Sequence, residues 1–157
     1  MGSAVTLMAV VAKPASVGTL RLRTASPRTK PRITHNYLTD PHDVRVMVSG
    51  LRLAAEIARA TPMKSITTGV HRIPEGDSDR ELADYARYAT GTAYHPVGTC
   101  SMGRVIDQEC RVLGVEGLRV VDASIMPSVP RANTNAPSIM IGEKGADLIR
   151  GRSSCDA

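Results

Sequence analysis

His95 sits in the run Tyr94-His95-Pro96-Val97-Gly98-Thr99-Cys100, where small, stiff and polar residues outnumber large apolar ones. Such a composition marks a loop shaped to hold something, not a core strand or a solvated helix. An unperturbed imidazole titrates near pH ~6.5, so a neutral ring can serve as a general base at working pH. Pro96 and Gly98 keep the loop compact, which limits the entropy lost in positioning the ring. Further on stand Asn133 and Asn135, whose amides can donate to a developing oxyanion without competing for its proton. Each residue also has a plainer use. His95 alone reads as a loop histidine bonded to backbone, and the asparagines as turn and helix-cap residues. Cys100, close after His95, permits a Cys–His–Asn hydrolase on residue types. No helix start follows Cys100 to activate it, and a small structural thiol is the simpler reading.

The elements around these residues position them. Ser78-Asp79-Arg80-Glu81 is a capping box. It opens a helix to about Tyr88, with Leu82, Tyr85, Ala86 and Ala89 inward, and delivers the chain to His95. Val112–Val115 and Leu118–Val121 read as two strands around the Glu116-Gly117 turn. Asp122 ends the second strand, where α/β-type folds place ligand contacts. The last helix is expected from about Pro137 to Arg150, stopped by Gly151. On it Ile139, Gly142, Ala146 and Ile149 share a face whose small residues would admit another backbone or a flat ring. Thr134, Asn135 and Ala136 fall at its start, where free N–H groups and the helix dipole favour an anion.

Earlier in the chain, Val5–Ala12 reads as a buried strand. Thr19–Thr24 alternates Leu20 and Leu22 against Arg21 and Arg23, the period of a half-exposed antiparallel strand. Arg32–Tyr37 is expected as a third strand. Asp40-Pro41-His42-Asp43 opens a helix to about Ala60, with Asp40 as cap and Asp43 favouring the positive end. Residues 63–74 read as short strand-like pieces, with His71 on the surface.

The chain has 157 residues, enough to bury roughly 70% of its extended surface in one core. With 42% hydrophobic residues but no Phe or Trp, that core must be aliphatic, which suits a piece that packs against another domain. The net charge of +5 includes Arg21, Arg23, Arg28, Lys30 and Arg32. No aromatics lie among them to stack bases, so a solvated strand face is expected and not a nucleic-acid site. Cys100, Cys110 and Cys155 show no CxxC pairing, and the four histidines are scattered. No disulfide framework and no metal site is expected, and a cytoplasmic setting fits. The apolar run at Val5 is too short to span a membrane, although Met1-Gly2-Ser3-Ala4-Val5-Thr6 formally matches a myristoylation start.

Three phrases taken together carry a resemblance. His95-Pro96-Val97-Gly98-Thr99-Cys100, Gly117–Ser124, and Asn133–Pro137 with Ile139–Lys144 resemble, in order, the C-terminal signature of the glucose–methanol–choline family of flavin oxidoreductases, nearest its choline-dehydrogenase-like branch. The resemblance implies FAD as cofactor and oxidation of a small-molecule alcohol to an aldehyde or ketone by hydride transfer. It implies His95 as catalytic base and Asn133, with Asn135 as near alternative, beside the substrate oxygen. It places Thr134, Asn135 and Ala136 against the flavin's pyrimidine edge, and Asp122 and Ala123 at a strand-end cofactor contact. Because the Asp122 carboxylate would repel a phosphate, a ribityl hydroxyl or a water is its expected partner. The implied fold is α+β: an antiparallel sheet with helices on one side, in a substrate-binding domain over residues 1–117. A strand and helix over 118–157 would return to complete a flavin-binding domain. There is no G-x-G-x-x-G followed by an acidic residue. The expected partner is therefore an N-terminal FAD-binding half, in missing sequence or a separate chain. The alternative is an inert fragment or binding module.

Overall fold

Asp40 has extended backbone and accepts from the His42 N–H at 2.7 Å, with Pro41 at the first helical position. This pairing starts α1, Pro41–Arg59, in the computed structural model, which describes residues 5–69, 74 and 76–152. The other helices are α2, Thr61–Lys64, α3, Asp79–Ala89, and α4, Asn135–Arg150, with a single 3-10 turn at Ala123–Ile125. Strands β1, Thr19–Arg21, and β2, Arg32–Thr34, pair antiparallel with Leu20 opposite Ile33. The class is α+β, and the chain divides into two compact units, Met1–Ala93 and Tyr94–Ala157. That boundary follows compactness and precedes the functional division expected after residue 117.

In the first unit α1 packs on α3 through Val48, Leu82 and Ala83, supported by Val44 and Leu51. The capping box is complete, with Glu81 N–H donating to Ser78 Oγ and Ser78 N–H to Glu81 Oε2. Ala83 is buried, and Ala89, expected inward, is exposed. Arg52 bridges the helices by reaching Asp79 at 2.7 Å and the Asp77 carbonyl at 2.8 Å. Both ends of the ion pair are solvated, so it contributes under about 1 kcal/mol.

Asp43 does more than oppose the helix dipole. It is 1% exposed, and its two carboxylate oxygens accept from the Ala15 and Ser16 N–H groups, each at 2.8 Å. It therefore ties the chain before β1 to the first turn of α1. Burial alone raises its carboxyl, but the bonds from Ala15 and Ser16 and the nearby His42 outweigh burial and hold it below the ordinary value.

Several expected elements differ. Residues 5–12 form no strand; the segment runs past Gly50 of α1, where an added Cβ would sit 3.0 Å from that of Ala9. No strand among the described residues lies beside it to supply a ladder, and Val5 and Met8 stay exposed. The ribbon of β1 and β2 is shorter than expected, and Leu20 on it and Leu22 just beyond it are exposed along with the arginines. Thr61-Pro62 starts the one-turn helix α2 where strand-like pieces were expected, because Pro62 suits a first helical turn. His71, Cys155 and residues 1–4 of the myristoylation match lie outside the described residues.

The second unit closes on Ile106, Cys110, Ile125 and Ile141, with Val120, Val121, Met126 and Leu148 against them. The expected strand pair is reduced to a bridge between Arg111 and Arg119, with Val112 N–H donating to the Leu118 carbonyl and Val120 N–H to that of Cys110. α4 starts at Asn135, two residues before the expected Pro137, and ends on Gly151 at φ 69°. It buries Ile141 and Gly145, while Ile139 and Ile149 of the expected inward stripe are 59% and 63% exposed. Gly145 explains the choice: a Cβ there would overlap the Val121 side chain, so only glycine lets the helix approach this closely.

Two tests follow from this packing. Gly145→Ala is expected to lower unfolding free energy by about 1 kcal/mol or more, overpacking outweighing the helical gain. Gly142→Ala, which meets nothing within 4 Å, should raise it by roughly 0.5–1 kcal/mol. Urea unfolding of both variants checks the sign difference. Asp43→Ala should cost roughly 1.5–3 kcal/mol at neutral pH. Because the native carboxyl is depressed, its contribution is full above the unfolded value of ~3.9 and fades as pH falls through the native one. Wild type should thus lose its advantage over the variant in acid, and a gap independent of pH would refute the carboxylate's role.

Candidate active site

The loop carrying His95 is stitched to the segment after Asp122. Gly98 and Cys100 N–H groups both donate to the Ser124 carbonyl, at 3.1 and 3.0 Å, and Met102 N–H donates to that of Ile125 at 2.9 Å. Gly98 takes φ 89°, which a side chain would strain, and Ser101 Oγ donates to its carbonyl at 2.8 Å. Asp122 caps the 3-10 turn by accepting from Ser124 N–H at 2.8 Å. This capping role was invisible in the sequence, where Asp122 reads as a strand end. Its side chain remains exposed and Ala123 is half-buried.

His95 is half-buried, and its Nδ1 lies 2.9 Å from Thr134 Oγ1. The Thr134 N–H also points at Nδ1, at 3.4 Å. The structure thus brings His95 to the entrance of α4, onto Thr134, which lies between Asn133 and Asn135 in sequence. Thr134 is buried at 9% exposure, while Asn133, Asn135 and Ala136 are exposed. Asn135 and Ala136 bring the first N–H groups of α4 to this place, and the Thr134 side chain does not cap them. The His95–Thr134 contact, 39 residues apart in sequence, left no local signal. Asn133 makes no side-chain hydrogen bond among the described residues, which leaves its amide available.

Among the described residues the thiols take no part in this cluster. No hydrogen bond joins Cys100 to His95 among the described residues, so the hydrolase arrangement is not assembled. Cys110 is 4% exposed in the core, where burial first, and Asp107 second, push its thiol up against a smaller pull from Arg119. No helix among the described residues is long and apolar enough to cross a membrane.

A profile of the GMC oxidoreductase family, for its C-terminal domain, matches residues 14–142. Choline oxidase of Arthrobacter globiformis is 50% identical over 145 residues, covering 86% of this chain and 26% of the relative. Mitochondrial choline dehydrogenase of Homo sapiens is 46% identical over 148 residues, covering 87% of this chain and 24% of the relative. Among solved structures, formate oxidase from Aspergillus oryzae RIB40 superposes with TM-score 0.82 at 28% identity, over 89% of this chain and 26% of that one. Pyridoxine 4-oxidase from Mesorbium loti does so with TM-score 0.83 at 25% identity, over 90% and 29%. The chain spans about a quarter of the length of the curated relatives it matches. The family is one of flavoproteins that use FAD, and this chain belongs to it, as a member of the GMC oxidoreductases through their C-terminal domain.

Proposed function

We propose that the chain is the active-site-bearing C-terminal portion of an FAD-dependent enzyme that oxidises a small alcohol to an aldehyde or ketone. The observation that carries this is the His95–Thr134 contact, which puts an imidazole at the entrance of α4 beside Asn133. FAD, when bound, supplies the hydride acceptor. The residues present fit one edge of that group. The start of α4, at Thr134, Asn135 and Ala136, offers the Asn135 and Ala136 N–H groups and a positive helix end to an anionic ring edge. Asp122 and Ala123, on the neighbouring 3-10 turn, suit a ribityl hydroxyl or a water. Nothing in the sequence suits the pyrophosphate, because a G-x-G-x-x-G loop is lacking. The rest of the cofactor site is therefore assigned to an N-terminal half, with residues 1–117 lining the substrate and 118–157 returning to the flavin domain.

His95 takes the alcohol proton on Nε2, since Nδ1 is held by Thr134. Asn133 donates to the oxygen as negative charge develops on it. Pro96 and the bonds of Gly98 and Cys100 hold the ring still, so its orientation entropy is lost on folding and not during reaction. The relatives named for choline make choline the first alcohol to test.

Visible absorbance should show flavin bands on the chain only when FAD and a family N-terminal half are both added. Bands with the chain alone would overturn the assignment of the cofactor site, and none under either condition would favour an inert fragment. In the reconstituted enzyme His95→Gln should lower kcat about 10²–10⁴-fold with the flavin bands retained. Asn133→Ala should lower it about 10²–10³-fold. Amide exchange at the exposed α4 entrance, at Asn133, Asn135 and Ala136, is expected to slow on adding the N-terminal half. Unchanged exchange there would sink the idea that this entrance completes another domain.

A further inference from the structure

The grip on His95 is chemically specific. A neutral imidazole carries one proton, and which nitrogen holds it is decided by the hydrogen bond at the other. At Nδ1 two groups of one residue compete: Thr134 Oγ1 at 2.9 Å and Thr134 N–H at 3.4 Å. The N–H can only donate, and it is long for a hydrogen bond. The N–H favours a bare Nδ1, while the hydroxyl is closer and can accept, which a protonated Nδ1 requires, so the role the hydroxyl takes decides the tautomer. Both frames behind the contact are fixed. The Thr134 carbonyl accepts from Ser138 Oγ at 2.6 Å and from Ser138 N–H at 3.0 Å. The His95 loop is tied through Gly98 and Cys100 to Ser124.

We propose that the Thr134 hydroxyl is a positioning group that locks neutral His95 in a single tautomer and reserves Nε2 as the working nitrogen. This rests on the reading of His95 as the proton-accepting residue and adds to Thr134 a role apart from the cofactor edge. A base at Nε2 needs its lone pair there, so the expected form carries its proton on Nδ1 and donates it to Thr134 Oγ1. Thr134 acts through His95 and touches no reacting atom.

The test reads the ring directly and needs no cofactor. The 157-residue chain is prepared with isotope-labelled imidazole nitrogens, and the nitrogen resonances of His95 are followed to the neutral limit. His95→Gln identifies the signal among the four histidines. Wild type and Thr134→Ser, which keeps the hydroxyl, should show one tautomer with Nδ1 protonated. Thr134→Val, of the same shape without the hydroxyl, should shift the tautomer ratio about threefold to tenfold, the loss of one ordinary hydrogen bond. An unaltered amide fingerprint in Thr134→Val shows that the fold is kept. A mixture of tautomers in wild type overturns the proposal whatever the variants do, as does an unchanged ratio in folded Thr134→Val. One hydroxyl-dependent tautomer with the proton on Nε2 upholds tautomer control by Thr134 and overturns the reading of His95 as base, so the two ideas fail separately.

Discussion

The three backbone hydrogen bonds from Gly98, Cys100 and Met102 to residues 124 and 125 are the constraint on which the site depends. They fix a glycine-bearing loop against a short turn whose own shape is set by the Asp122 cap. That turn buries Ile125 among Ile106, Cys110 and Ile141, so the loop inherits the rigidity of the core. α4 joins the same core through Gly145 on Val121, and its entrance therefore lies at a fixed place relative to the loop. The meeting of His95 with Thr134 is a consequence of packing several residues away from either one.

Local signals in the sequence were legible because their physics is local. Asp40-Pro41 and the Ser78–Glu81 box satisfy helix N–H groups within a turn, and both helices begin where those residues place them. Gly151 stops α4 for an equally local reason. Strands were less legible, because a ladder needs a partner that spacing does not supply. Val5–Ala12 has the apolar run of a strand but lies along α1. Around Glu116-Gly117 the pairing is present, yet only one bridge long. Asp43 illustrates a subtler loss. Its position suggests a charge near a helix start, while its long-range bonds to Ala15 and Ser16 make it a buried anchor.

The candidate site was legible as a set of residue types within three phrases, and the fold joins all three, the first bonding to the second through Ser124 and to the third through Thr134. What the sequence could not state is which atom of His95 is engaged. That depends on a partner far along the chain, and Thr134 carries no motif of its own that marks it as a histidine partner.

α4 shows why periodicity alone misassigns a face. It carries two apolar stripes, one through Ile141, Gly145 and Leu148, the other through Ile139, Gly142, Ala146 and Ile149. Both satisfy helical spacing, so hydrophobicity does not decide which turns inward. The decision falls to shape, since Gly145 lies where Val121 must fit and Gly142 meets no neighbour. The second stripe is left with Ile139 and Ile149 largely in solvent around a residue that has no side chain. Isolated exposed apolar residues need no explanation, but a stripe flanking a glycine offers a flat, close approach. On the proposed reading this face and the helix start beside it belong to one surface, on which the remainder of a flavoenzyme would be completed. The inward stripe holds the helix entrance against His95, and the outward one would be left free for that remainder.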